Sequence, residues 1–222
     1  MIARAALRSL SLTLLAVTAL TSIGLASAQA PAPALRVKYE YELLRQPQPV
    51  TTGERIEVVE FFWYGCPHCN NLQPPLEGWL KGKPADVELR RVPAVFRENW
   101  LPHARLFYTL EALGEVGRLH QSVYRAIHSE NESLMTASTS ADWAMRQGIE
   151  PARWLATYNS PEVERKVQES RNITKAYAVP GTPSLVVDGR YLTSSSMAES
   201  MPGVITILDG LLVMARDQRA KK

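Results

Sequence analysis

The run Ile56 to Trp63 (IEVVEFFW) passes through Tyr64 straight into Gly65-Cys66-Pro67-His68-Cys69. No other feature restricts the fold as strongly. The first segment is rich in β-branched and aromatic residues and is apolar on both faces, which predicts a central strand covered on both sides. The second segment predicts a helix beginning at the cysteines and running to about Lys81. Pro67 suits its first turn, where a missing N–H costs nothing. Pro74 and Pro75 are expected to kink or interrupt it, since each removes a backbone donor.

A strand that ends where a helix begins fixes the place of the sulfurs. Unpaired N–H groups and the macrodipole at a helix N-terminus favour an anion. The Cys66 thiolate is therefore expected to be stabilised, with a pKa below the ~8.5 of a free thiol. His68 adds a dipole, or a charge when protonated. Cys69 lies one turn on, within disulfide reach but facing inward. The pair is expected to cycle between dithiol and disulfide, with one exposed and one protected sulfur. A thiolate stabilised only in the reduced form makes the disulfide form a strong oxidant of other thiols.

The rest of the chain sets limits. Its 222 residues, 45% hydrophobic and 21% charged, have a globular composition and suit one domain, or one domain carrying an insertion. Two cysteines cannot build a disulfide-rich scaffold or a four-thiolate zinc site. Residues 1–28 read as a secretory signal peptide, with Arg4 and Arg8 before an apolar stretch from about Leu10 to Leu25 and a cleavage pattern at Ala26-Ser27-Ala28. Ala28-Gln29-Ala30 is a second candidate, but cutting there would leave Pro31 first. An uncleaved anchor is the competing reading, and the apolar stretch is short and polar-dotted for a span of ~20 residues. Loss of the two arginines leaves a nearly neutral chain, which gives no reason to expect nucleic-acid binding. An exported, oxidising compartment is expected, where a lone cysteine pair suits a redox role.

Residues 31–35 (PAPAL) read as a frayed leader. A short edge strand is expected within Arg36–Leu44 and a loop at 47–53. Val87 to Phe96 reads as a strand whose pairing Pro93 should end. From Asn99 to about Ala178 the pattern is helical. Leu101, Leu106, Phe107, Leu110 and Leu113 have helical spacing before Gly114, and further helices are expected at 115–128, 139–147, 151–158 and 161–177. Pro183–Asp188, Gly189 and Arg190–Thr193 predict a hairpin with Asp-Gly at the turn. Ile205 to Ala215 predicts an amphipathic closing helix. The simplest architecture is an α/β mixed sheet with helices on both faces, interrupted by a helical insertion.

Two other readings of the cysteine motif compete with the redox one. A structural disulfide gains most from closing a long loop, and this loop is very short. A metal site would need partners, but His103, His120 and His128 lack standard ligand spacing from the cysteines and read as helix-surface residues. Glu60 shares a strand face with Ile56, Val58 and Phe62 by period-2 counting. A carboxylate among apolar neighbours should have a raised pKa, the profile of a proton carrier, and six residues before Cys66 it could lie beneath the inner sulfur. A water-exposed rim position is the alternative. Thr182-Pro183 stands at a strand entrance, where the peptide bond is open to cis or trans. Trp63 and Tyr64 flank the motif as either an apolar rim for unfolded chains or core packing.

Together, EFFWYGCPHC, Glu60, the long helical block and the late GTPSLVVDGRY resemble the periplasmic DsbA-type thiol:disulfide oxidoreductases of the thioredoxin superfamily. The resemblance covers nearly all of the chain after residue 28 and is strongest at 58–76 and 179–192. It implies an α/β thioredoxin fold with an inserted all-helical domain at 97–170, flanked by thioredoxin-like parts at 29–96 and 171–222. It implies that Cys66 is the reactive sulfur, Cys69 its buried partner and Pro183 a cis-proline facing the pair. Thr182 would offer backbone hydrogen bonds to a bound peptide. Substrates would be newly exported proteins with cysteines, and a DsbB-type quinone-linked membrane partner would restore the disulfide. No cofactor or metal is implied, and a monomer is expected. Many relatives carry an acid two turns past the first cysteine; here the residue is Gln73, which puts the tuning of the site in question. A periplasmic isomerase or reductase on the same fold usually brings a separate dimerisation domain, and none is visible in the sequence. A non-enzymatic holdase would bind unfolded chains without using the thiols.

Overall fold

The central strand is β2, Ile56–Phe62, every residue of which is buried. A computed structural model describes residues 35–221 of the chain. The signal peptide expected at 1–28, and all but the last residue of the expected leader at 31–35, lie outside the described residues. β2 pairs in parallel with β3, Val87–Pro93, and antiparallel with β4, Ser184–Val187. β4 continues into β5, Tyr191–Ser194, which pairs with the two-residue edge strand β1, Glu42–Leu43. The sheet order is β1-β5-β4-β2-β3. β1 is shorter than the 36–44 stretch suggests because Lys38 adopts a left-handed φ of 69° and turns the chain.

One sheet face is covered by α1, Pro67–Gly82, and α7, Met201–Ala220, which bury Leu72, Leu76, Leu208 and Leu211 against Ile56, Val58 and Leu185. α1 passes through Pro74 and Pro75 without a break. Both prolines retain solvent access, so water can reach the side of the helix that loses donors. α7 starts at Met201, four residues before the apolar spacing suggests, because Ser200 caps it by accepting from Gly203 N at 3.1 Å. The β4–β5 turn has Asp188 and Gly189 at φ 53° and 61°, the left-handed pair that an Asp-Gly hairpin turn requires.

Between β3 and β4 stand five helices: α2 (Leu101–Ala112), α3 (Val116–His128), α4 (Ala137–Arg146), α5 (Pro151–Tyr158) and α6 (Pro161–Tyr177). They enclose a core that includes Phe107, Leu110, Val123, Trp143 and Trp154. α6 serves two cores. Val163 and Val167 lie in that helical core, whereas Ile173 and Tyr177 pack with Val59 and Phe61 on the other sheet face. Ser170, between them, donates to the Pro93 carbonyl at 2.6 Å. The boundary expected at 170 thus falls inside one continuous helix.

Candidate active site

β2 ends at Phe62, and within four residues the chain has turned into α1. Gly65 leaves room for the Trp63 ring, which a Cβ at that position would meet. Cys66 is the N-cap of α1, with extended φ −91° and ψ 117°; its amide donates to Trp63 O at 3.0 Å, and its carbonyl accepts from Asn70 N at 3.1 Å. Pro67 follows as the first helical residue. Both cysteines are free thiols, Cys66 8% exposed and Cys69 fully buried. The outer sulfur is therefore less open than the sequence suggests. Cys66 Sγ lies 3.4 Å from the carbonyl oxygen of Thr182, and the Thr182–Pro183 peptide bond is cis.

This setting pulls the two thiols apart in acidity. Hydrogen bonding from the Cys69 thiol leads the effects that push Cys66 down to about 5. Burial opposes it, and the Cys69 amide, the Thr182 side chain and the His68 amide add smaller downward contributions. His68 acts here through its backbone, while its side chain stands exposed. Cys69 is pushed well up, first by burial and then by its bond to Cys66. A lowered pKa on the outer sulfur and a raised one on the inner make a nucleophile, or leaving group, beside a sulfur that holds its proton.

Glu60 is fully buried beneath this helix, not on a rim. Gln73 Nε2 donates to its Oε1 at 2.8 Å and also reaches the Cys69 carbonyl at 3.5 Å, so the amide bridges the carboxyl and the inner cysteine's backbone. Arg91 Nε donates to Glu60 Oε2 at 3.0 Å and its NH2 group to Glu77 Oε1 at 2.6 Å. Burial raises the Glu60 pKa, and Arg91 and Gln73 partly oppose the rise. Sequence reasoning missed Arg91. No signal in the sequence pointed to it, because the parallel register that sets Glu60 opposite Arg91 exists only in the fold.

The aromatic residues divide. Trp63 is half-buried and stacks on Trp100 with ring centres 4.2 Å apart and planes 5° apart. Tyr64 is fully buried, which removes it from any surface rim. Its hydroxyl pairs with His120 Nδ1 at 2.8 Å, and its carbonyl with His128 Nε2 at 2.7 Å. The three histidines are not surface residues as expected: His103 and His120 are buried and His128 is half-buried. Their rings pack around Tyr64. Burial holds His120 well below the usual imidazole value and His103 down to about 4. Among the described residues, no group of three or more His, Cys, Asp or Glu could hold a metal ion.

Comparison with known proteins agrees with this arrangement. The family model for a DSBA-like thioredoxin domain matches residues 85–204. The chain is 38% identical over 178 residues to the thiol:disulfide interchange protein DsbA of Burkholderia cepacia, covering 80% of this chain and 84% of that one. It is 38% identical to the DsbA of Bordetella pertussis over 174 residues, 78% of this chain and 83% of that one. The crystal structure of Pseudomonas aeruginosa DsbA superposes with a TM-score of 0.80 at 36% identity, covering 85% of this chain and 97% of that one. Fold, cysteine geometry and relatives agree: the chain belongs to the DsbA family of thiol:disulfide oxidoreductases, with a thioredoxin-like fold.

Proposed function

We propose that this protein donates its Cys66–Cys69 disulfide to newly exported proteins in the periplasm. A client thiolate attacks Cys66 Sγ, a client–Cys66 disulfide forms, and the bond to Cys69 breaks. Cys69 leaves with the electron pair and takes a proton. A second client thiolate then attacks the client sulfur and expels Cys66 as thiolate. The client loses two electrons and gains a disulfide, and the protein is left as a dithiol. We assign Glu60, linked to the Cys69 backbone through Gln73, to carry the proton for the inner sulfur. Thr182 beside Pro183 and the exposed part of Trp63 are assigned to receive the client chain. A DsbB-type quinone-linked membrane protein would take the two electrons back. Residues 1–28 would direct export, and the inserted helical domain is taken as 97–170.

One observation carries this reading: Cys66 is pushed down to about 5 while its partner is pushed up. A reduced form stabilised in this way favours giving the disulfide away. The test is trapping. Cys69→Ala should accumulate mixed disulfides with client proteins, and Cys66→Ser should abolish oxidation of a reduced substrate. Absence of any trapped species with Cys69→Ala would overturn the division of labour between the sulfurs. The measured redox midpoint separates the oxidase from a reductase or isomerase: a value near −120 mV supports donation, and one near about −270 mV opposes it.

A further inference from the structure

Residues 63–66 form the β-turn that joins β2 to α1, closed by the Cys66 amide on the Trp63 carbonyl at 3.0 Å. Tyr64 and Gly65 are its two central residues. Gly65 takes no positive φ, so the turn is not of type II. The peptide plane between them carries the Tyr64 carbonyl and the Gly65 N–H. Turning that plane over into the type II arrangement needs only a new ψ at Tyr64 and a positive φ at Gly65, which glycine accepts freely. The turn that delivers the reactive sulfur thus has two orientations open to it, and a bond from elsewhere in the chain holds the observed one. His128 Nε2 lies 2.7 Å from the Tyr64 carbonyl oxygen. A carbonyl only accepts, so the ring nitrogen donates, whether the imidazole is neutral or protonated. His128 is the last residue of α3, and its ring lies against that of Tyr124 with centres 6.0 Å apart and planes 23° apart. Tyr124 is fully buried, and the Tyr64 ring packs edge-on to it at 5.0 Å. The Tyr64 hydroxyl is tied separately, to His120 of the same helix, at 2.8 Å.

We propose that His128 is a positioning residue for disulfide donation: its ring N–H latches the Tyr64–Gly65 peptide plane in the orientation that sets Cys66 at the N-terminus of α1. The proposal rests on the disulfide-donor reading above and deepens it, giving the inserted helices a part in the chemistry. Only the two backbone torsions of Gly65 separate the latched plane from the Cys66 amide. Cys66 must be held as the N-cap for its sulfur to meet the Cys69 thiol and the Cys69 and His68 amides. Those contacts stabilise the thiolate, which exists only in the reduced form. Loss of the latch therefore weakens the reduced form selectively and makes the protein a poorer donor.

The test compares redox midpoints in glutathione buffers for the wild-type protein and its His128→Phe, His128→Leu and His128→Gln variants. Phe keeps a ring against Tyr124 and Leu keeps the bulk, and both lack the donor; either serves where the other fails to fold. In both, the equilibrium constant for oxidising glutathione should fall about tenfold, which is about 30 mV toward the reducing side. The thiolate titration of Cys66 should rise by about one pH unit from its value of about 5. Gln can donate from nearly the same place, so His128→Gln should bring the equilibrium constant back to within about twofold of wild type. A bond that served stability alone would lower the urea midpoints of both redox forms equally and leave the redox midpoint in place. That result in the donor-less variants, or a Gln variant that folds as well as wild type yet shifts like Phe, overturns the proposal. The wild-type midpoint separates the two levels. A value close to that of thioredoxin overturns the donor reading itself; a value close to that of a strong oxidant, with the variants unshifted, removes only the latch.

Discussion

Arg91 reaches across the parallel β2–β3 ladder to Glu60, Nε to Oε2 at 3.0 Å, and it is 14% exposed where the carboxylate is 0%. The pair sits in the sheet under the reactive helix, so its balance bears on the site above.

Removing the guanidinium should be costly. Arg91→Met leaves Glu60 buried without its cation, and loss of one partner of a buried pair typically costs about 3–5 kcal/mol. Glu60, already raised by burial, should rise further. A carboxyl with a raised folded-state pKa binds more protons folded than unfolded, so stability falls as pH increases between the unfolded and folded values. The variant should carry that fall to higher pH than wild type. Urea midpoints from pH 4 to 9 check this; parallel curves for the two proteins would refute the coupling.

The Cys66 thiolate should set a pH-dependent gap between redox forms. Its folded pKa is depressed to about 5, so it stabilises the reduced protein above the unfolded thiol value, and this is lost as pH falls through about 5. Reduced protein should melt above oxidised protein at pH 7, with the gap closing below pH 5. Thiolate absorbance at 240 nm should titrate near the same value. A gap of constant size between pH 4 and 7 would contradict the assignment.

Buried His103 should sensitise the fold to acid. Its folded value is lowered to about 4, so the unfolded chain takes up a proton below ~6.5 that the native one refuses. The associated stability is present above pH 6.5 and fades as pH drops through 4. His103→Phe removes the titration and two ring nitrogens that have no protein partner. Relative to wild type, the variant should gain more stability at pH 5 than at pH 8, read from urea midpoints. An equal change at both pH values would show that the imidazole is not the sensor.

Gly65→Ala should disturb the aromatic pair beside the motif. The added Cβ would run into the Trp63 ring, and that ring is held against Trp100. Overpacking of this kind costs about 1–3 kcal/mol. Tryptophan emission should change together with the urea midpoint. An unchanged spectrum would mean that the added methyl group does not displace the stack.

Much of this was legible in the sequence. The β2-to-α1 junction, the Asp-Gly hairpin, and α5 and α6 lie where residue pattern and turn chemistry put them, because local geometry and burial demand the same thing there. The histidines show where residue type misleads. Spacing sets His103 in line with Leu106, Phe107 and Leu110, and His120 in line with Val123 and Tyr124, which is the buried stripe of each helix. Histidine is more often a surface residue, but in these two helices the periodicity, not the residue type, decides burial. The contacts of Gln73 and Arg91 with Glu60 were hidden for another reason. Their partners lie 13 and 31 residues away in sequence, and only the packing of α1 on the sheet and the strand register bring them to Glu60.

α6 is one unbroken rod of 17 residues with its first turns embedded in one core and its last turns in another. Neither half can melt alone without fraying the other's wall. The molecule is thereby tied into a single cooperative unit, and a protease that nicked this rod would release both halves at once.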